Sequence, residues 1–193
     1  MANFYIGDSH FGHRNIIRYD NRPFRTVTEM DNEIIENWNS VVTNHDTVYI
    51  VGDFTWDTDV NVFENLIDDL NGNKILITGN HDKIPSQLRK KFKEIREYAE
   101  ITEWIQGEAT KVCIFHYPIA FWNGQFRNSI HIYAHVHNSH QWNMMENWME
   151  EARALQALPM RAYNVGCMMP WMNYTPRTIE QIIEGHKNWK ENK

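Results

Sequence analysis

Acid, amide and imidazole side chains cluster in short blocks along this chain: Asp8-Ser9-His10, Gly52-Asp53 and Gly79-Asn80-His81-Asp82. A lone His116 and the pair His135 and His137 follow. Oxygen and imidazole donors without cysteine suit Mn, Fe, Zn, Co or Ni, and not a structural thiolate zinc site. Two donors separated by one residue, as in Asp-Ser-His and His-Val-His, can point to the same side of a strand end and serve neighbouring ions. Asp8, His10, Asp53, Asn80, His116, His135 and His137 make seven candidate ligands, too many for one tetrahedral ion. They suit two ions about 3.5–4 Å apart, with one carboxylate bridging.

Such a site needs elements that bring the blocks together. Residues 3–7 form a short apolar run that reads as a buried strand ending at Asp8. Thr28 is placed to cap a helix carrying Met30, Ile34, Ile35, Trp38, Val41 and Val42 at helical spacing. Residues 47–51 are β-rich. Val60, Phe63, Leu66, Ile67 and Leu70 give a second amphipathic helix, and residues 74–78 a third strand. This β-α-β-α-β order implies parallel pairing in a layered α/β domain. Ligands bind such sheets at the carboxyl ends of the strands, where the first three polar blocks fall. Further on, residues 94–105, 111–116, 129–134 and 162–166 read as strands. Residues 143–158 read as a helix ending before Pro159. Thr175 is expected to cap a last helix with Pro176 in its first turn and Ile179, Ile182 and Ile183 on its apolar face.

Composition narrows the function classes. Nineteen Lys and Arg against twenty-five Asp and Glu give 193 residues a formal charge of −6. That balance argues against tracking along extended nucleic acid, although Arg14, Arg18, Arg22 and Arg25 could form a local basic patch. With 42% hydrophobic residues the chain can build a real core. No run approaches the ~20 apolar residues of a membrane span, so no membrane partner is expected. The start lacks the pattern of a signal peptide, and two cysteines, Cys113 and Cys167, do not make a disulfide framework. A cytoplasmic location is the expectation. Without repeat or linker, residues 1–193 read as one domain.

The order D-x-H, G-D, G-N-H-D, a lone H and H-x-H resembles the calcineurin-like metallophosphoesterase superfamily. Here it reads DSH at 8–10, GD at 52–53, GNHD at 79–82, His116 in FHYP and AHVH at 134–137. The segments HFGHRNIIRYDNRPF, NVGC and NYTP are similar to those of a small bacterial or phage-type branch. The resemblance implies a two-sheet β-sandwich flanked by helices, with a dinuclear site at one edge. It implies that Asp8, His10 and His137 hold one metal, that Asn80, His116 and His135 hold the other, and that Asp53 bridges them. Mn²⁺ is the expected ion, with Fe, Zn, Co or Ni as alternatives. A hydroxide between the ions would attack phosphorus. His81 would act as general acid at the leaving group, oriented by Asp82, an aid of roughly 10²–10⁴-fold. The implied reaction is hydrolysis of a small phosphomonoester or a nucleotide phosphodiester. A non-catalytic scaffold and a nuclease are the rival readings. One departure is Ala134, where the family usually has glycine. Alanine cannot adopt a positive φ cheaply, so the local geometry differs if that turn needs one.

Beyond the ligands, His13 could contact the phosphate. Arg14, Arg18 and Arg22 could clamp it, because guanidinium matches phosphate geometry; the alternative is solvated surface. Trp122 and Asn123 either line the substrate pocket or pack under a loop. His45, His131, His140 and His186 read as structural or surface residues, and Cys113 as core. Seven of the nine methionines lie between Met144 and Met172, with Trp148 and Trp171. That segment reads as core packing, with an apolar lid or the contact surface of a homo-oligomer as alternatives.

Overall fold

The structure, a computed structural model, describes residues 1–156 and 160–192. The chain runs β1 (Asn3–Ile6), α1 (Ile16–Tyr19), α2 (Val27–Val41), β2 (Thr47–Val51), α3 (Val60–Asp69), β3 (Asn73–Ile77), β4 (Glu94–Arg96), β5 (Tyr98–Ile105), β6 (Glu108–Phe115), β7 (Ile130–Tyr133), α4 (His140–Gln156), β8 (Ala162–Asn164) and α5 (Ile179–Glu191). Short 3-10 turns cover Ser86–Lys91 and Gln125–Arg127.

Eight strands form two four-stranded sheets, ordered β1-β2-β3-β4 and β5-β6-β7-β8. The first is parallel throughout. In the second, β5 and β6 make an antiparallel hairpin, and β6, β7 and β8 run parallel. Apart from their first residues, β1, β2 and β3 are buried along their whole length, as strands of a parallel sheet covered on both faces must be. On the helices, α2 buries Met30, Ile34 and Trp38, and α3 buries Phe63 and Ile67, each at a spacing of one turn. Ile6, Ile50 and Leu76 of the first sheet share one buried cluster with Val112, Ile114 and Ile132 of the second. The architecture is the expected α/β sandwich of two sheets flanked by helices.

The sheets meet where β1 and β8 end. The Gly7 amide donates to the Val165 carbonyl at 2.8 Å, and the Cys167 amide to the Gly7 carbonyl at 2.8 Å. Space here is short: a Cβ on Gly7 would lie 2.6 Å from the Ala134 Cβ and 3.0 Å from the Val51 carbonyl. Ala134 is fully buried and does not have a positive φ. The methyl that departs from the family pattern is therefore tolerated because Gly7, across the seam, has no side chain.

Several expectations change. Thr26, not Thr28, caps α2, its hydroxyl accepting from the Glu29 amide at 3.1 Å. Thr178, not Thr175, caps α5 in a reciprocal pair with Gln181, so Pro176 precedes the helix instead of entering its first turn. In both cases the successful threonine has Glu or Gln three positions on, the local signature of a helix start. The expected strand 94–105 breaks at Glu97 into β4 and β5, which belong to different sheets. Helix α4 starts at His140, ahead of Asn143; its expected end at Leu158 and Pro159 lies outside the described residues. Met149, Met160, Met168, Met169, Met172 and Trp171 are buried, so most of the methionine-rich segment is core.

Candidate metal centre

Every block of the proposed site follows a strand whose carboxyl end opens to one edge of the sandwich. Asp8 and His10 follow β1, Asp53 follows β2, Asn80 follows β3, His116 follows β6, and His135 and His137 follow β7. Backbone pairing continues past β1 and β2. The amides of Asp8, His10 and Phe11 donate to the carbonyls of Gly52, Asp53 and Phe54 at 3.0, 3.0 and 3.1 Å. Five of the seven candidate ligands sit in the left-handed region: Asp8 (φ 51°), His10 (52°), Asp53 (51°), His135 (68°) and His137 (48°). Each such conformation costs about 1–3 kcal/mol for a residue with a side chain, and persists where the surroundings over-determine it at a functional site. Gly52 (φ 79°) belongs to this set too, and a Cβ there would fall 2.1 Å from His116 Nδ1.

The side chains converge as two triads. Donor atoms of Asp8, His10 and His137 lie within 4.8 Å of one another, as do those of Asp53, His116 and His135. Asp53 Oδ2 stands 3.7 Å from His10 Nε2 and 3.6 Å from His116 Nε2, between the triads. Asp8 Oδ2 is 3.8 Å from His137 Nε2, and Asn80 Oδ1 is 3.1 Å from His116 Nε2. Donors sharing an ion at about 2.1 Å lie roughly 3.0–3.5 Å apart, so these separations need little adjustment. His10 Nε2 is buried without a hydrogen-bond partner. A buried orphan of that kind requires an explanation, and a metal ion supplies one. The donor set therefore fits a pair of divalent ions.

Neighbouring groups set the orientation and protonation of these donors. His116 Nδ1 lies 2.9 Å from the Val51 carbonyl, which fixes its N–H there and leaves Nε2 for the metal. His137 Nδ1 lies 2.6 Å from Asp20 Oδ1. Asp20 Oδ2 in turn accepts from Arg22 Nε and Nη2 at 3.0 and 2.9 Å, while Arg22 also donates to the Ser9 and Asp8 carbonyls at 3.0 and 2.8 Å. Asp8 accepts the His135 amide, and Asp53 Oδ1 accepts the His81 amide at 2.9 Å, which leaves Oδ2 facing both triads. Without metal, burial raises the Asp8 carboxyl, partly offset by His137 and His116. Burial, reinforced by the neighbouring His137 and Arg22, pushes His10 down to about 2, and burial also lowers His135, so both are neutral. His137 behaves oppositely: burial would lower it, but the Asp8 and Asp20 carboxylates raise it on balance. Metal and proton therefore compete for this ring.

The remaining candidates separate clearly. His81 is exposed at the rim, its ring 6.0 Å from that of His10. Asp82 does not orient it. The Asp82 carboxylate instead accepts the amides of Asp53 (2.9 Å), Phe54 (2.8 Å) and Gly79 (2.7 Å), tying the loop after β2 to the loop after β3. His13 is at the rim, its ring 5.5 Å from His10 and stacked on Trp56 at 4.0 Å. Arg22 is not a phosphate clamp: it is buried and fully engaged with Asp20 and the backbone of the Asp8 loop. Arg14 is exposed and lines a surface depression with Arg18 and Arg25. Trp122 does not line the site. It is buried, donates its indole N–H to the Ser129 carbonyl at 3.3 Å and packs on His131; Asn123 pairs with Glu100. Sequence reasoning missed Asp20 and Trp56. No local pattern marks Asp20, whose histidine partner is 117 positions away.

The comparisons agree with this geometry. The family model described as calcineurin-like phosphoesterase matches residues 4–186, and the chain belongs to that family of metallophosphoesterases. It is 36% identical over 182 residues to the uncharacterized protein MJ1445 of Methanocaldococcus jannaschii, covering 94% of this chain and 89% of that one. It is 31% identical over 134 residues to the Gene 66 protein of Mycobacterium phage L5, covering 61% of this chain and 64% of that one. The crystal structure of the protein of unknown function AQ665 from Aquifex aeolicus is similar at a TM-score of 0.68 and 25% identity, covering 94% of this chain and 97% of that one. Family membership implies metal-dependent hydrolysis of a phosphoester. Among the described residues, no helix is long and apolar enough to cross a membrane.

Proposed function

We propose that residues 1–193 form one domain that hydrolyses a small phosphate ester or a nucleotide at a dinuclear metal centre held by Asp8, His10, Asp53, Asn80, His116, His135 and His137. The observation that carries this reading is Asp53 Oδ2, poised 3.7 and 3.6 Å from a histidine of each triad. When bound, two divalent ions supply Lewis acidity toward phosphate oxygens and make a nucleophilic oxygen available near neutral pH. Asp8, His10 and His137 would hold one ion, Asn80, His116 and His135 the other, and Asp53 both. Carboxylate, amide and imidazole donors accept Mn, Fe, Zn, Co or Ni, and Mn is the ion proposed first.

The chain's own residues supply the rest. The His81 backbone is pinned by its bond to Asp53 Oδ1, and its exposed imidazole projects at the rim beside His10. From there it can donate a proton to the departing oxygen. Asp82 acts as a positioning residue that holds the loops of Asp53 and Asn80 together. His13 and Arg14 remain as contacts for phosphate at the rim. The complete donor set disfavours a non-catalytic scaffold. With Arg22 withdrawn into the interior, the local arginine patch shrinks to Arg14, Arg18 and Arg25, which disfavours a nuclease reading. Both triads come from one chain, so the site needs no second copy. The two cysteines are free and buried, in keeping with a reducing cytoplasm.

The test is His81→Ala with the metal loaded. Hydrolysis of an ester with an alkoxide leaving group should fall about 10²–10⁴-fold, and that of a p-nitrophenyl ester much less. Equal loss on both would rule out His81 as the acid. Running p-nitrophenyl phosphate beside its bis-ester tells monoester from diester preference.

A further inference from the structure

Trp56 is the residue at this site that phosphate chemistry does not explain. Its indole is 45% exposed at the rim beside the imidazoles of His13 and His81. It is held firmly: its amide donates to the Phe11 carbonyl at 2.8 Å, Phe11 and Thr55 form a parallel bridge, and the buried Thr55 hydroxyl also reaches the Phe11 carbonyl. One face of the ring lies flat on His13, with centroids 4.0 Å apart and planes at 9°. Beyond it stands His81 at 4.9 Å, and His10 is 6.4 Å away. The indole is thus pre-ordered on the side of the centre where His81 stands. Across the centre, half-exposed Tyr117 lies 4.4 Å from His135 and 5.1 Å from His116.

An exposed tryptophan costs solubility, and packing alone does not need this one, because nearly half of it stays open. What it offers a ligand is a rigid π surface one ring away from the proposed acid. A group bound on the His81 side of the centre would lie within reach of that surface.

We propose that Trp56 is a specificity-determining residue that packs against a planar aromatic group on the alcohol side of the scissile ester, so that the substrate class is a nucleoside ester of phosphate. This rests on the phosphohydrolase reading above. The same stack also explains why His13 is held upright at the rim, and the test separates the two roles.

The experiment measures binding by calorimetry to Mn²⁺-loaded protein, with adenosine 5′-monophosphate and glycerol 3-phosphate as probes. Both present a phosphate on a primary carbon, and only one carries a base. Wild type should prefer the nucleotide. Trp56→Ala should erode that preference by about 5- to 150-fold, the equivalent of the ~1–3 kcal/mol of one base–aromatic stack. Trp56→Phe should keep most of it. An undiminished preference in Trp56→Ala overturns the proposal. Equal weakening of both probes also overturns it and leaves Trp56 as a support for His13. If wild-type protein with two ions bound takes neither probe, the nucleoside assignment fails, and hydrolysis of bis-p-nitrophenyl phosphate by the same preparation shows whether the phosphohydrolase reading fails with it. Metal content of each variant, measured alongside, shows whether the centre is intact.

Discussion

Asp20→Asn would perturb the centre through a residue that touches no metal. The shape is kept and the charge removed. Asp20 Oδ1 holds His137 Nδ1 at 2.6 Å, and Oδ2 holds the Arg22 fork at 2.9 and 3.0 Å. A carboxamide has one acceptor oxygen, so it cannot serve both donors, and its NH₂ must face either an imidazole N–H or a guanidinium. A buried hydrogen bond to a charged group is worth about 1.5–3 kcal/mol, the expected loss in stability of the metal-free protein. The larger consequence is for affinity. His137 loses the partner that orients its ring, and Arg22 loses the anchor from which it grips the Asp8 carbonyl at 2.8 Å. Removing such an outer partner weakens metal binding about 10–100-fold. The loss should fall on one ion only, because His116 is oriented by the Val51 carbonyl at 2.9 Å, not by Asp20. Equilibrium dialysis against Mn²⁺ with elemental analysis reads this directly. Wild type should bind two ions, and Asp20→Asn should bind one normally and one weakly. Two sites of unaltered affinity in the variant, or equal weakening of both in a folded protein, would refute the reasoning.

Three further outcomes follow from the structure. Burial, with the nearby Asp57 adding to it, raises the Asp31 carboxyl from 3.8 to about 6, so the folded protein loses stability as pH rises through that interval. That displacement corresponds to roughly 3 kcal/mol, discounted to about 1–2 kcal/mol because the group is partly solvated. Asp31→Asn, whose amide oxygen can still accept the Gly12 amide, should stabilise the metal-free protein by that amount at pH 7 and not at all near pH 4; equal gains in urea melts at both pH values would contradict this. Gly7→Ala should cost about 1–3 kcal/mol by overpacking against Ala134, and Ala134→Gly should recover part of it in the double variant. Simple additivity in that cycle would show that the two positions do not compete for space. Gly52→Ala should lose metal at the His116 triad, since its Cβ would overlap His116 Nδ1; full metal content would contradict the packing described for that loop.

The candidate ligands were legible because each lies in a short block at the end of a strand, and the strands alternate with helices whose apolar spacing is unambiguous. Residues 47–51 and 60–70 shape the sheet and its cover much as their pattern implies. What could not be read depends on distance in space. Arg22 looks like a surface cation until the fold buries it beneath Asp8. Trp122 looks equally suited to a pocket or to packing, and only the sheet decides. The break at Glu97 is invisible because both halves are β-formers, and the change of sheet between them is a tertiary event. At the helix starts the information was present but ambiguous, with two threonines near each cap. The left-handed backbone of five candidate ligands left no trace, because aspartate and histidine do not announce it as glycine does.

The central claim is that two ions, held by seven side chains, make this chain a phosphohydrolase. It is tested most directly by titrating chelator-stripped protein with Mn²⁺ while following hydrolysis of bis-p-nitrophenyl phosphate and p-nitrophenyl phosphate. The account predicts no turnover without metal, and activity on at least one ester that saturates at two ions per chain. Turnover in the stripped protein, full activity at one ion, or two bound ions without hydrolysis of either ester would contradict it.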